Sequence, residues 1–245
     1  MHFLPIKTRK FIPPKDDLFE LLDKHLPKLK EGDVLLITSK ILAIHQGRCI
    51  KVKVGDLPEK DKLIMKEAEQ YIPRNQVPGQ YAILTIKYHT LIPSAGIDRS
   101  NALDYYILWP KNINQAAKTF CKYLQKKHKI KKLAVIITDS HTIPLRRGTM
   151  GVSIGFYGLK PVNDLRGKPD VFGQKLKITQ TDTVDALTAA GVMLMGESNE
   201  QTPLLIIRGA TFVKFTSRNT YRDLVMHPKT DLYAPLFKAF KRKKK

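Results

Sequence analysis

Three acidic residues in this chain each follow an apolar segment. Asp98 comes after Ala95-Gly96-Ile97, Asp139 after the run 133–138, and Glu197 after the run 184–195 and Gly196. Open α/β proteins place ligands where strands and helices end on one side of a sheet. Hard oxygen donors on separate loops are what Mg²⁺ or Mn²⁺ takes up, commonly beside phosphate oxygens. Ser140, next to Asp139, adds a hydroxyl donor. Each acid taken singly reads better as a turn former or a helix cap; only their shared placement points to a metal site. Arg146-Arg147-Gly148 begins seven residues beyond Asp139. Arginine recognises phosphate or carboxylate in a bidentate manner and can neutralise charge during phosphoryl transfer, although an exposed surface pair fits the pattern as well. The histidines are scattered, without HxH or HExxH, and none is assigned to catalysis. Neither a GxxxxGK(S/T) loop nor a GxGxxG turn occurs, so any nucleotide is held by an architecture other than a P-loop or a Rossmann site.

The elements that must position these residues are partly visible. Asp16 and Asp17 precede Leu18, Leu21, Leu22, His25 and Leu26, which is helical spacing with acids in the first turn. Val34-Leu35-Leu36-Ile37 reads as a buried strand ending in Thr38-Ser39-Lys40, and a second apolar segment covers 41–44. Residues 59–71 are rich in helix formers, and 81–88 alternate loosely as a strand. Residues 95–101 read as a loop. Trp109-Pro110 precedes a helix with Asn112 placed to cap it and with Ile113, Ala116, Ala117, Phe120, Cys121 and Leu124 on one face. Residues 133–138 read as a further buried strand, the glycine-rich stretch 148–158 as a bulged strand, 184–195 as a buried helix ending at Gly196, and 204–207 as a last short strand. Helices and strands mix without regular alternation, so the expected class is α+β with mixed sheets and flanking helices.

Bulk properties narrow the function classes. The 245 residues include 43 Lys and Arg against 22 Asp and Glu, a formal net charge of +21. Such a surface attracts polyanions, whether nucleic acid, anionic lipid or phosphorylated and polycarboxylate ligands. Basic runs at 126–132 and 241–245 read as a solvated helix face and a tail. Two cysteines, Cys49 and Cys121, exclude a CxxC zinc knuckle or redox dithiol; a disulfide between them stays open. The N-terminus lacks a signal-peptide pattern, and no stretch approaches the ~20 apolar residues needed to span a bilayer. The expected compartment is the cytoplasm.

Several segments taken together resemble the coenzyme F-420-0:γ-glutamyl ligases. Gly32-Asp33-Val34 through Thr38-Ser39-Lys40 to Gly47-Arg48 is similar to the family's GDV, SK and EGR opening. Residues 95–101 match its AGIDxSN loop, and Ile136-Ile137-Thr138-Asp139-Ser140 with Arg146-Arg147-Gly148 match its IITDT and RxG segment. Ile154-Gly155, Gly158, Asp164-Leu165-Arg166-Gly167, Asp170, Phe172-Gly173, Asp185, Met195-Gly196-Glu197 and the stretch 203–209 follow in order. Each motif is weak alone; five in the right order are a strong signal.

The resemblance implies a γ-glutamyl ligase domain over residues 10–210, followed by a basic extension, 211–245. It implies the family's α+β fold and an intertwined homodimer. It implies GTP or ATP as co-substrate, two divalent ions (Mg²⁺ or Mn²⁺) and potassium as a monovalent helper. By matching position, Asp98 and Asp139 hold one divalent ion, and Ser140 and Glu197 the other. Ser39, Lys40, Asn101, Met195, Gly196, Ser198 and Asn199 contact the nucleotide, with Phe11, Ile12, Pro13 and Pro14 at its base. Arg146, Arg147 and Asp185 are the implied catalytic residues. The substrates it implies are L-glutamate and an anionic cofactor precursor, either the deazaflavin coenzyme F-420-0 or, as for bacterial relatives lacking that coenzyme, folate. The chain departs from the family at Ile44, where a basic residue is expected, at Ala186 in place of an acid, at Gln46 in place of Glu, and in the loop Glu197-Ser198-Asn199-Glu200, which lacks the usual glycines. Two alternatives remain: a nucleotide-binding relative without ligase activity, and a basic nucleic-acid-binding protein, for which only Tyr221-Arg222 and 237–245 interleave aromatics with basic residues.

Overall fold

The apolar runs of the sequence form one five-stranded sheet with both faces covered. The computed structural model describes residues 1–52 and 57–242. In chain order the elements are β1 (His2–Ile6), α1 (Leu18–His25), β2 (Asp33–Thr38), α2 (Ser39–His45), β3 (Cys49–Lys51), α3 (Leu57–Glu67), β4 (Gln70–Ile72), β5 (Leu84–Lys87) and β6 (Thr90–Pro93). They continue with β7 (Tyr105–Ile107), α4 (Ile113–His128), β8 (Leu133–Thr142), β9 (Thr149–Tyr157), β10 (Val162–Asp164), β11 (Gln180–Asp182), α5 (Thr183–Met195), β12 (Leu204–Arg208) and β13 (Lys241–Arg242). The main sheet runs β1-β12-β2-β8-β9, with β2 and β8 parallel and every other pairing antiparallel. A four-stranded sheet, β13-β4-β5-β6, and the pairs β3-β7 and β10-β11 flank it. The class is α+β with mixed sheets, as expected.

Strand alternation divides the core in two. Leu35, Ile37, Leu133, Val135, Ile137, Leu204 and Ile206 face α1 and α4, whose Leu18, Leu21, Leu22, Phe120, Cys121 and Leu124 close that side. Val34, Leu36, Ala134, Ile136, Leu205 and Ile207 face the other way, against Val184, Leu187 and Met195 of α5. Burial on both faces makes continuous apolar runs of these strands rather than alternating ones. Burying each Leu, Ile, Val, Phe or Met side chain among these contributes about 1.5–3 kcal/mol before entropy is charged. Asp17 caps α1 by accepting from Phe19 N at 2.8 Å, and Asp182 caps α5 by accepting from Asp185 N at 3.0 Å.

Several boundaries differ from expectation. Residues 41–44 lie on a helix, α2, that begins directly where β2 ends. The helix expected over 59–71 stops at Glu67, because residues 70–72 pair with β5, and sheet pairing outweighs local propensity there. Asn112 occupies the position before α4 but in a left-handed backbone (φ 49°), and its side chain makes no capping bond. β8 extends through Thr142, so Asp139 and Ser140 lie within the strand rather than after it. The bulge expected in 148–158 is present: Ile137 pairs with Gly155 and Thr138 with Ser153, leaving Ile154 as the extra residue of β9. Cys49 and Cys121 are free thiols, which closes the disulfide question. Residues 211–242 carry two short 3₁₀ turns and β13. Val213, Phe215, Tyr221 and Leu224 of this segment pack on the α5 side of the core. Of the basic run 241–245, residues 243–245 lie outside the described part. No helix among the described residues is long and apolar enough to cross a membrane.

Candidate active site

Because β2 and β8 are parallel and Thr38 pairs with Thr138, both strands deliver the residues that follow to the same edge of the sheet. Ser39 therefore stands beside Asp139, and its Oγ donates to Asp139 Oδ2 at 3.1 Å. The C-terminus of α5 and the loop 196–203 reach that edge, as does the loop 94–101 from β6. Together they wall a cavity of about 630 Å³, within the usual range for small-molecule sites.

Fourteen of the eighteen residues singled out from the sequence line this cavity: Phe11, Ile12, Pro13, Ser39, Lys40, Asp98, Asn101, Asp139, Ser140, Met195, Gly196, Glu197, Ser198 and Asn199. Lys40 Nζ bonds Asp98 Oδ2 at 2.6 Å and Ser100 O and Oγ at 2.8 and 2.9 Å. Asn101 Nδ2 donates to Ser198 O at 2.7 Å, tying the Asp98 loop to the Glu197 loop. Ser140 Oγ donates to Glu197 Oε2 at 3.4 Å.

The remaining four lie elsewhere. Pro14 is exposed beyond the rim. Arg146 and Arg147 are exposed in the turn joining β8 to β9. Asp185, in the first turn of α5, accepts from Ser153 N at 2.8 Å and Ser153 Oγ at 2.6 Å. Ser153, next to the bulge at Ile154, pairs with Thr138, so Asp185 fastens the sheet one residue before Asp139. Ile44 is buried with Ala43, Ala102 and Ile107; the cation that reaches the cavity from α2 is Lys40.

Burial pushes the Asp139 carboxyl up to about 6, against hydrogen bonds from Ser140 N, Trp109 Nε1 and Ser39 that favour its charged form. Burial also raises Glu197, aided by repulsion from Asp98 and Glu200. Asp98 goes the other way: burial opposes its ionisation, but the charge and hydrogen bond of Lys40, with those of Ser100, outweigh it and hold the carboxyl low. The donors are all oxygens, which suits Mg²⁺ or Mn²⁺ rather than a soft metal. Among the described residues no three carboxylate, imidazole or thiol side chains converge as a ready cage.

Trp109, Arg9, Lys10 and Ser100 also line the cavity and went unassigned on sequence. The hints were that Ser100 falls in the segment resembling the AGIDxSN loop and that Trp109 is the single tryptophan of the chain.

The family described as F420-0:Gamma-glutamyl ligase matches residues 6–209, most of the chain. The chain belongs to that family. Curated relatives agree along nearly their full length. A protein of Methanopyrus kandleri named coenzyme F420:L-glutamate ligase is 29% identical, over 94% of this chain and 96% of its own. Proteins of the same name from Methanococcus maripaludis and Methanosarcina barkeri are 30% and 28% identical, over 89% and 91% of this chain and 84% and 93% of theirs. Membership of this family makes the chain an amide-forming ligase, as its sequence motifs suggested.

Proposed function

We propose that this protein is a nucleotide-dependent ligase that joins L-glutamate to a carboxylate of the deazaflavin coenzyme F420-0. The observation that supports this most directly is the convergence of Asp98, Asp139, Ser140 and Glu197 with Lys40 on one cavity wall, in a chain whose relatives carry that activity in their names. Amide formation from a carboxylate requires activation. A carboxylate oxygen of the acceptor attacks the γ-phosphorus of GTP or ATP, the bond to the bridging oxygen breaks, and the nucleoside diphosphate leaves. The α-amine of glutamate then attacks the acyl carbon of the resulting acyl phosphate, phosphate departs with the C–O electron pair, and the nitrogen gives up its proton.

The protein's part is to gather anions. Lys40, Asn101 and the loop 195–202, with Arg9 and Lys10, hold the triphosphate, and Phe11, Ile12 and Pro13 take the base. Asp98 with Asp139, and Ser140 with Glu197, would each hold one divalent ion; bound there, such ions screen the phosphate charge and polarise the γ-phosphoryl group, with potassium as a helper. We read residues 10–210 as the ligase domain and 211–245 as a basic extension, in a cytoplasmic enzyme.

We also infer a homodimer. Leu145 beside Arg146 and Arg147, and Val171, Phe172 and Ile178 between β10 and β11, are exposed large apolar side chains. A second copy would cover them and bring Arg146 and Arg147 toward a neighbouring site. Light scattering of the purified protein should give twice the chain mass.

The test of function is an incubation with GTP or ATP, Mg²⁺ or Mn²⁺, labelled L-glutamate and, separately, F420-0 or folate, read by mass spectrometry. Addition of a glutamyl unit to F420-0 is expected. Addition to folate alone would reassign the acceptor, and nucleotide turnover with neither would remove the ligase reading. Asp139→Asn should abolish turnover while leaving the thermal transition in place.

A further inference from the structure

Trp109 is almost wholly buried (1% exposed), yet its indole Nε1 reaches the cavity wall and donates to Asp139 Oδ2. The ring is fixed from every side. Tyr88 stacks on it, with centroids 6.2 Å apart and planes 11° from parallel. Lys87 Nζ sits 5.9 Å from its centroid and is held by Glu67 at 2.8 Å. Arg48 bonds the same Glu67 oxygen at 2.7 Å and the Trp109 carbonyl at 3.1 Å. The ring edge meets Gly96, where a Cβ would fall 2.1 Å from Nε1 on a backbone at φ +71°. Only glycine lets the segment leading to Asp98 lie against the indole. The one tryptophan thus touches the carboxylate on β8 and spaces the loop that carries the other.

We infer that Trp109 is a positioning residue: its N–H aims the Asp139 carboxylate, and its edge sets the approach of the Asp98 loop. The inference rests on reading Asp139 as the cation-facing carboxylate of the site. The chemistry suits the task. An indole N–H is a donor only, rigid, and without a charge of its own. It orients a carboxylate while leaving the negative charge for a cation; Ser39 Oγ donates to the same Oδ2 at 3.1 Å, so the cation-facing lone pair lies on Oδ1. A lysine there would neutralise the group, and a serine rotor would orient it loosely. Asp139 Oδ1 is turned in the same way by Ser140 N at 2.8 Å. Outer partners of this kind commonly change metal affinity by about 10- to 100-fold when removed.

Because the chain has a single tryptophan, one substitution separates orientation from packing. Replacing Trp109 with β-(3-benzothienyl)alanine keeps the ring's shape and removes the donor. We expect an unchanged thermal transition, Mn²⁺ affinity in the presence of nucleotide weakened about tenfold or more, and kcat reduced with little change in the KM for glutamate. In the metal-free protein the lone indole ¹H–¹⁵N resonance should lie downfield and move upfield in Asp139→Asn. An analogue-bearing protein with wild-type Mn²⁺ affinity and kcat, beside an inactive Asp139→Asn, would overturn the inference and leave the site reading standing. Full turnover in Asp139→Asn would overturn both.

Discussion

Lys40 holds Asp98 through a short ion pair on the cavity wall, at 2.6 Å, with Ser100 completing the clamp. A lysine so placed can exchange its carboxylate for a phosphate, whereas a neutral side chain can do neither. Lys40→Met should therefore raise the KM for nucleotide at least tenfold, about 1.4 kcal/mol, and its Asp98 carboxyl should titrate at a higher pH because the charge that lowers it is gone. Nucleotide KM together with carboxyl ¹³C titration checks both. The acids of the site were legible because each closes an apolar segment and sits in a motif of fixed order. Trp109 was not, because an aromatic ring before Pro110 reads as core, and its polar edge matters only once β8 lies beside it. Arg146 and Arg147 have the right chemistry at the right spacing, but spacing along β8 and β9 carries them up a hairpin and away from this chain's own cavity.

At the scale of elements, two contacts decide whether the walls stand. α5 lies so close to β9 that a Cβ on Gly151 would sit 2.6 Å from Thr188 O and 2.7 Å from Val192 Cβ. Gly151→Ala must push the helix outward, at a cost of about 1–3 kcal/mol, and the helix ends in the Met195-Gly196-Glu197 turn. A lower Tm with weakened divalent-ion affinity is expected; a lower Tm alone would mean that the turn does not follow the helix. The segment 9–13 is held differently. Asp16 accepts from Arg9 Nη1 and Nη2 at 2.6 and 2.8 Å and from Ile12 N at 2.9 Å, and the Arg9 pairing draws its carboxyl down to about 2. A lowered acid stabilises the fold above its unfolded value, ~3.9, and loses that contribution as pH falls toward about 2. Asp16→Asn should thus cost about 1 kcal/mol at pH 7, allowing for solvent screening, with the difference from wild type vanishing near pH 2 in thermal melts. Strands β2, β8 and β12 and helices α1, α4 and α5 were legible from period and length. α2 was not settled, since four apolar residues in a row fit either element, and neither were the ends of α3 and β4, where pairing with β5 overrides propensity.

Over the whole molecule, what the sequence withheld is the pairing of distant segments. Parallel β2 and β8 lie about 100 residues apart and β1 returns to β12 across nearly the entire chain, and no local pattern encodes such closures. Yet the cavity exists only because of the first of them, which sets Ser39 against Asp139. The net charge of +21, by contrast, was plain from composition, and the cavity gives it a use. Both proposed substrates and the nucleotide are anions, so a positive field should speed their capture without changing the bound chemistry. Raising ionic strength from about 0.02 to 0.2 M shortens the Debye length from roughly 20 to under 10 Å. kcat/KM for nucleotide should then fall several-fold while kcat stays nearly constant. Nucleic acid added as competitor should inhibit at low salt and lose its grip at physiological salt, since its hold would come from unstructured charge rather than a groove with stacking aromatics. Inhibition that persists at physiological salt would instead mark a second, built polyanion site on the basic face.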